Sequence, residues 1–495
     1  MLSQQTGAAD GAPGDPVDAL ETAVGRMARI GWCDGPSFAP DGVRLACVAD
    51  LSGVPQVWTM PAAGGWPELV TPLDDPVGTV AWSPDGAWLA FTLAPGGGMN
   101  TQVYLVRPDG RDLHRVTAGG KETNWLGPWA HDGRLLAFAT NLRDPAGMDA
   151  YVLDMASGAV RLVAENNGIG YLTDLSRDGG RAVLYRQVHR SDDNLYLLDL
   201  AGGATTLLTP HEGPGSFEQG CFSPDGRTVY LSSNAAGEHT AFARVALDAA
   251  GRPGPITVGA ARDDAELDSF VLSEDGRTAA LLWNVAGRSE LAFLDLASGA
   301  MTPSPPLPAE VAVDLAFARD GRVVACSVMG AAAPRDVWRL ERAANAWQRV
   351  SRSPHAGVPL DRLVRPELVR FPAHDGLPLS AWLYRPQDFA APGACVLSFH
   401  GGPEAQERPT FNSTYQALLA AGIAVLAPNV RGSTGFGKTF MNLDNGPLRF
   451  DAVQDIATCV DFAVAAGVAD PARVGIMGGS YGGYMTMAGL TAFPE

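Results

Sequence analysis

Lysine is almost missing from this 495-residue chain: Lys121 and Lys438 are its only two, and the net charge is −18. With no basic run, neither a nucleic acid nor a lipid surface is an expected partner. No segment reaches ~18 consecutive apolar residues, so no spanning helix is expected. The opening MLSQQTGAADGAPGDPVDAL lacks the basic start and apolar stretch of a signal peptide. Six cysteines, at 33, 47, 221, 326, 395 and 459, stand apart, without the paired spacing of a metal site or redox motif. They read as core thiols in a reduced, cytoplasmic protein. No metal-ligand cluster, nucleotide loop or cofactor motif occurs, so no cofactor is expected.

Apolar residues, by contrast, make up 46% of the chain and charged residues 18%. That balance is globular. The length exceeds the ~250–300 residues at which one core stops growing, so at least two domains are expected.

A repeat supplies the first. Asp-Gly recurs between strand-like runs at Asp41-Gly42, Asp85-Gly86, Asp132-Gly133, Asp178-Gly179, Asp225-Gly226, Asp275-Gly276 and Asp320-Gly321, at intervals of 44 to 50 residues. Several copies read Pro-Asp-Gly, where Pro presets φ and Gly takes the positive φ of a tight turn. A β-prone stretch follows each turn, and then an aromatic 16 to 18 residues beyond the glycine: Trp58, Tyr104, Tyr151, Tyr196, Phe242, Phe293 and Trp338. A period of ~40–50 residues with several strands per unit fits four-stranded propeller blades. Seven copies predict a seven-bladed β-propeller over residues 35–350, after an N-terminal extension over 1–34. Each aromatic is expected to fill space between adjacent blades.

After residue 350 the repeat stops. Strands are expected at Leu379–Tyr384, Ala394–Phe399, Ala424–Pro428 and Val474–Met477, and helices at Phe411–Ala421 and Asp451–Ala466. Such alternation predicts an α/β domain over 351–495 whose sheet is parallel through most of its width. Asp375-Gly376 reads as a hairpin leading into that sheet rather than an eighth blade.

Two motifs carry chemistry. The strand Val474–Met477 runs into Gly478-Gly479-Ser480-Tyr481-Gly482, a G-x-S-x-G nucleophile elbow between strand and helix. A serine hydroxyl is a weak nucleophile that must project from a sharp turn, and the flanking glycines leave room for one. Upstream, Ala394–Phe399 ends in His400-Gly401-Gly402-Pro403, where α/β-hydrolases supply one N–H of the oxyanion hole. The second would come from Tyr481, the residue after the nucleophile. His400 precedes the serine, whereas the base of this fold follows it, so it reads as a loop-shaping residue.

The blocks HGGP at 400–403, APNVRGSTGFG at 427–437 and VADPARVGIMGGSYGGYMT at 468–486, behind the propeller repeat, resemble the prolyl oligopeptidase family, most closely its acylaminoacyl-peptidase branch. The resemblance implies a serine peptidase acting on short peptides, with Ser480 as nucleophile, Gly402 and Tyr481 as oxyanion donors, and a propeller that excludes folded proteins. Exposed sheet edges in the family often pair, which leaves a homo-oligomer open. For Asn429 and Arg431, packing of their loop and a substrate role remain equal readings.

The resemblance is incomplete in one respect. The triad of this fold runs Ser, Asp, His in chain order, yet all eight histidines precede Ser480 and the only acid after it is Glu495. The triad Asp and His are therefore absent from this chain, and the reading is of a C-terminally truncated sequence with an incomplete hydrolase domain and little activity by itself. Dipeptidyl-peptidases of the family hold the substrate amine with adjacent glutamates, and no Glu-Glu pair occurs here, which weighs against that specificity. An esterase of the same fold, or a non-catalytic interaction propeller, are the alternatives.

Overall fold

The computed structural model describes residues 16–494; residues 1–15 of the N-terminal extension, and Glu495, lie outside the described residues. Seven antiparallel sheets of four strands each follow one another from Cys33 to Arg349, each built from strands consecutive in sequence. We number them blades 1 to 7. Within a blade the first strand lies innermost: the first strands of blades 1, 3, 4 and 6 pack on those of blades 7 or 2, 4, 5 and 7. Blade 1 closes the ring on blade 7 through side chains, with Arg335 Nη1 2.6 Å from Asp34 Oδ2 and Gly35 N donating to Ser327 Oγ at 3.1 Å.

The repeat has a local cause. In four copies a serine precedes the turn by two residues, and its hydroxyl donates to the turn aspartate at 2.6 Å: Ser83 to Asp85, Ser176 to Asp178, Ser223 to Asp225 and Ser273 to Asp275. The same carboxylates accept backbone N–H groups two residues on, at Ala87, Gly180, Arg227 and Arg277. Each turn glycine takes a φ between 65° and 76°, which costs a side-chain-free residue nothing. The spaced aromatics all fall on third strands, and each lies in or packs on an apolar cluster drawn from two adjacent blades, as expected. Phe242 packs edge-on against Phe270 of the next blade, while Tyr104 and Tyr151 also stack on Phe91 and Phe138 of their own blades.

The second domain is a five-stranded sheet. Its strands are β1 (Glu367–Pro372), β2 (Pro378–Tyr384), β3 (Gly393–Phe399), β4 (Ala424–Asn429) and β5 (Ala469–Gly478), in spatial order β1-β2-β4-β3-β5. Only β4-β3 and β3-β5 run parallel; β1-β2 and β2-β4 are antiparallel. The expectation of a sheet parallel through most of its width is corrected accordingly. Parallel neighbours need crossovers, and only two long helices serve as such here: α2 (Ser413–Ala420) between β3 and β4, and α3 (Arg449–Ala465) between β4 and β5. β1 and β2 are the two arms of the Asp375-Gly376 hairpin. Apolar side chains of α3, among them Ile456 and Cys459, close the core on one face with Leu397, Leu426 and Phe371.

The N-terminal extension is not detached. Residues Pro16–Met27 form a helix, α1, that packs against α2, and Gly31 N then donates to Pro354 O at 2.9 Å. The two domains meet at one end of the propeller, through the turns between second and third strands and the starts of first strands. Arg408 donates to Gly287 O and pairs with Asp268 at 2.7 Å, Gly437 N donates to Glu266 Oε1 at 2.6 Å, and Asn284 bonds Gln406 at 2.6 Å. Among the described residues no helix is long and apolar enough to cross a membrane.

Candidate active site

β5 ends at Gly478 and helix α4 (Tyr481–Ala492) begins three residues later, so the chain reverses within Gly479 and Ser480. Ser480 pays for that turn with φ 53° and ψ −117°, a conformation that L-residues rarely hold and that costs of order 1–3 kcal/mol. The glycines make the turn feasible. A Cβ on Gly478 would stand 2.7 Å from Gly482 Cα, and one on Gly482 would stand 3.0 Å from His400 O. Ser480 is exposed at the tip.

The His-Gly-Gly-Pro loop lies against this elbow. A Cβ on Gly401 would be 3.6 Å from Ser480 Cβ, so the loop passes beside the serine with the space of one absent side chain between them. Gly402 has φ 117° and leaves no room for a side chain, since a Cβ there would meet Glu404 N at 2.6 Å. The amides of Gly402 and Tyr481 have no hydrogen-bond acceptor among the described residues. At the first turn of a helix such an orphan N–H is expected, and in an oxyanion hole it is required. Tyr481 itself is anchored: its hydroxyl donates to Asp444 Oδ1 at 2.7 Å, and Asp444 pairs with Arg449 at 2.8 Å. Burial and the Asp444 carboxylate both push the Tyr481 phenol up, so it stays a neutral donor.

His400 does not reach the serine. Its Nδ1 lies 2.7 Å from Gly401 O and its Nε2 3.0 Å from Ser433 Oγ. Burial lowers its pKa and keeps the ring neutral; Nδ1–H then donates to the Gly401 carbonyl, while the Ser433 hydroxyl beside Nε2 donates to Val430 O at 2.6 Å. The ring holds the loop, as the sequence suggests. Arg431 and Asn429 are likewise spent on packing. Arg431, 4% exposed, spans Asp375 at 3.0 Å and Asp455 at 2.9 Å, and Asn429 both accepts from Glu407 N and donates to Glu407 O. Asp444 and Arg449 have no sequence signature, and nothing in the 427–437 block marks the contact of Ser433 with His400, because these roles arise only when separate segments converge.

A cavity of about 510 Å³ opens between the domains beside this loop, lined by Glu404 and Lys438 from the hydrolase side and by Arg190, Asp193 and Glu218 from the propeller. Arg190, at the tip of a blade 4 hairpin, lies 3.3 Å from Glu404 Oε2 and 3.4 Å from Gly402 O, which ties the cavity to the oxyanion loop. Burial raises the Asp193 carboxyl to about 7, with the charge of Glu218 adding to it. Glu218 keeps an exposed surface, yet the surrounding protein, by desolvation, raises its carboxyl too, and that carboxylate has no hydrogen-bond partner among the described residues. These acids come from the third strand of blade 4 and the first strand of blade 5. The lack of a Glu-Glu pair in sequence thus does not decide the matter, since neighbouring blades bring two carboxylates together.

Comparison with known proteins agrees with this geometry. A profile of the prolyl oligopeptidase family matches residues 409–495. Dipeptidyl aminopeptidase BIII of Pseudoxanthomonas mexicana is 30% identical over 489 residues, spanning 92% of this chain and 68% of that protein. The acylamino-acid-releasing enzyme of Arabidopsis thaliana is 37% identical over 91 residues, 18% of this chain and 12% of that enzyme. Among solved structures, a prolyl endopeptidase superposes with TM-score 0.81 at 18% identity, covering 97% of this chain and 74% of its own. Puromycin hydrolase follows with TM-score 0.79 at 20% identity, covering 97% and 78%; both support the fold. With a relative similar along nearly its whole length, this chain belongs to the prolyl oligopeptidase family of serine peptidases.

Proposed function

We propose that Ser480 is the nucleophile of a peptidase that takes short peptides with a free amino terminus into the cavity between the domains. The observation that carries the first half is the strained Ser480 turn held beside Gly401. Attack of Oγ on a substrate carbonyl would form an acyl-enzyme, with the tetrahedral oxygen accepting from the amides of Gly402 and Tyr481. Ser480 needs a base to take its proton, and no histidine among the described residues contacts it.

The second half rests on Asp193 and Glu218. A protonated amine entering between them would favour the ionised form of two carboxyls that the site otherwise disfavours, which an acylated terminus could not do. The long similarity to a dipeptidyl aminopeptidase supports the same reading; the similarity to acylamino-acid-releasing enzymes is confined to about a hundred residues or fewer.

The test is fluorophosphonate labelling of the complete gene product beside Ser480→Ala, followed by comparison of a dipeptidyl anilide with its N-acetylated form. Labelling lost in the alanine variant and a preference for the free amine are expected. A folded product that never labels removes Ser480 from the chemistry and favours a binding propeller. Labelling with a preference for the acetylated substrate restores the acylaminoacyl-peptidase reading.

A further inference from the structure

The six cysteines stand apart in sequence, yet two of them meet in the fold. Cys33 opens the first strand of blade 1, Cys47 lies in the second, and their sulfurs are 3.0 Å apart in the buried core of the blade. The strand pairing explains the encounter. Cys33 faces Ala49 and Asp34 faces Val48, but the register then shifts before Ser37 pairs with Ala46. Gly35, with φ 63°, and Pro36, which has no N–H to give to the ladder, form the bulge. A bulge bends its strand and sharpens the twist, and here it leaves Cys47 across from the bulge with its thiol against Cys33. Among the described residues no other two cysteines touch.

The two thiols are not equivalent. A cavity of about 740 Å³ runs along the seam between blades 1 and 7, and Cys33 is part of its wall, with Trp58, Met60 and Trp66 from blade 1 and Arg349 and Arg352 from the last strand of blade 7 and the linker after it. Cys47 is fully buried and is not part of that wall. A reagent in the cavity therefore meets Cys33 first. The volume suits a small organic molecule, and the exposed guanidinium of Arg352 suits a carboxylate on it.

We propose that Cys33 and Cys47 are a thiol–disulfide exchange site served by the seam cavity, whose co-reactant is a low-molecular-weight disulfide carrying carboxylates. The Cys33 thiol gives up its proton and its sulfur attacks one sulfur of that disulfide; a Cys33 mixed disulfide forms, and one small thiol leaves with the proton. Cys47 then loses its proton and attacks Cys33 Sγ, the Cys33–Cys47 bond forms, and the second small thiol leaves. Two protein thiols are oxidised and one small disulfide is reduced to two thiols. The sulfurs need close only from 3.0 Å to the ~2.05 Å of the bond. The Cys47 thiol, burial and the charge of Asp336 push the Cys33 thiol up, against the Ser351 hydroxyl, so exchange is slow at neutral pH. The bond pins the bulged start of blade 1, where Gly31 N holds Pro354 O and Arg335 reaches Asp34, to the strand behind it. None of these groups belongs to the Ser480 site.

The experiment incubates the complete gene product with oxidised glutathione, quenches with acid, alkylates the remaining thiols in denaturant and maps the peptides by mass spectrometry over time. A peptide pair joined through Cys33 and Cys47 is expected, restored to two thiols by dithiothreitol, while Cys326, Cys395 and Cys459 stay fully alkylated. In Cys47→Ser the reaction should stop at glutathione on Cys33, and in Cys33→Ser position 47 should stay unmodified. Arg352→Glu, on the surface, should slow the first step about threefold or more, as loss and reversal of an exposed charge does. Glutathione left on Cys33 of the wild type with Cys47 free would show that the pair cannot close, and overturn the proposal. So would modification of Cys47 in Cys33→Ser, equal reaction of all six cysteines, or an unchanged rate in Arg352→Glu. If neither serine variant folds, the wild-type map decides alone: no Cys33–Cys47 bond in excess oxidised glutathione rejects the exchange site.

Discussion

Gly482 stands so close to Phe399 that the start of α4 and the end of β3 touch backbone to backbone: an added Cβ would lie 2.8 Å from the Phe399 carbonyl carbon. This contact seats the nucleophile turn on the oxyanion loop. Gly482→Ala is expected to destabilise the protein by about 1–3 kcal/mol or more, as overpacking does, and to abolish fluorophosphonate labelling. Urea titration checks the first and the probe the second; an alanine variant with unchanged midpoint would mean the contact can yield.

Ser480 holds its positive φ without a glycine's freedom. Ser480→Gly should therefore raise stability by about 1 kcal/mol, whereas Ser480→Ala, which keeps a Cβ, should not. Both should lose all reaction at position 480. Thermal melts of the three proteins at one pH separate the outcomes.

Arg431 joins α3 to the β1-β2 hairpin through Asp455 and Asp375. Removing its charge in Arg431→Met leaves the fully buried Asp455 without its cation, which is expected to cost about 3–5 kcal/mol. The Arg431 guanidinium holds the Asp375 carboxyl well below the usual range. The stability it contributes is present above the ordinary carboxylate value and is lost as pH falls through its folded value. Acid unfolding monitored by circular dichroism should begin at higher pH in Asp375→Asn.

At the end of the propeller away from the hydrolase domain, Arg177 of blade 4 and His131 of blade 3 meet Glu274 of blade 6 across the channel. In this cluster Glu274 raises the pKa of His131 above its ordinary 6.5, and His131 and Arg177 lower that of Glu274 below 4.5. Asp174, on the inner strand of blade 4, also faces His131 and raises it, while Arg177 opposes the shift. A raised histidine contributes below pH 6.5 and stops contributing as pH climbs through its folded value. A lowered glutamate contributes above pH 4.5 and is lost as pH drops through its folded value. The cluster is therefore strongest between about pH 4.5 and 6.5, by no more than ~1 kcal/mol after solvent screening. His131→Gln should flatten the upper edge of this window in a stability-pH curve and leave the lower edge in place.

Binding of a free-amine dipeptide should follow Asp193. Its carboxyl, raised to about 7, is protonated below that pH and cannot meet an ammonium, while a peptide amine loses its proton above ~8. Affinity measured by calorimetry should peak between these limits, and Asp193→Asn should remove its acid side.

Much of this architecture could be read locally. In every Asp-Gly turn the aspartate accepts an amide two residues on, and in four a serine two residues before adds a donor, all within five positions, so their sequence pattern carries the blade count. The elbow is similar: Gly478, Ser480 and Gly482 sit in one pentapeptide whose geometry is set by which of them lack Cβ atoms. The hydrolase strands and helices also fall within a few residues of their expected places, apart from β5, which begins at Ala469. Sheet direction was less legible, because the helical periods say that crossovers exist but not which strands remain antiparallel.

Composition and short-range pattern were enough to dictate seven blades, an α/β sheet after them, and a serine placed where a nucleophile belongs, since each is specified by residues that touch their sequence neighbours. Folding alone settled the placing of Asp193 and Glu218 around one cavity, the anchoring of Tyr481 by Asp444, and the meeting of Arg177 and Glu274 across the channel. Those relations join residues 25 to 97 positions apart, and such distances close only when blades stack and loops converge, through contacts that no single stretch of chain encodes.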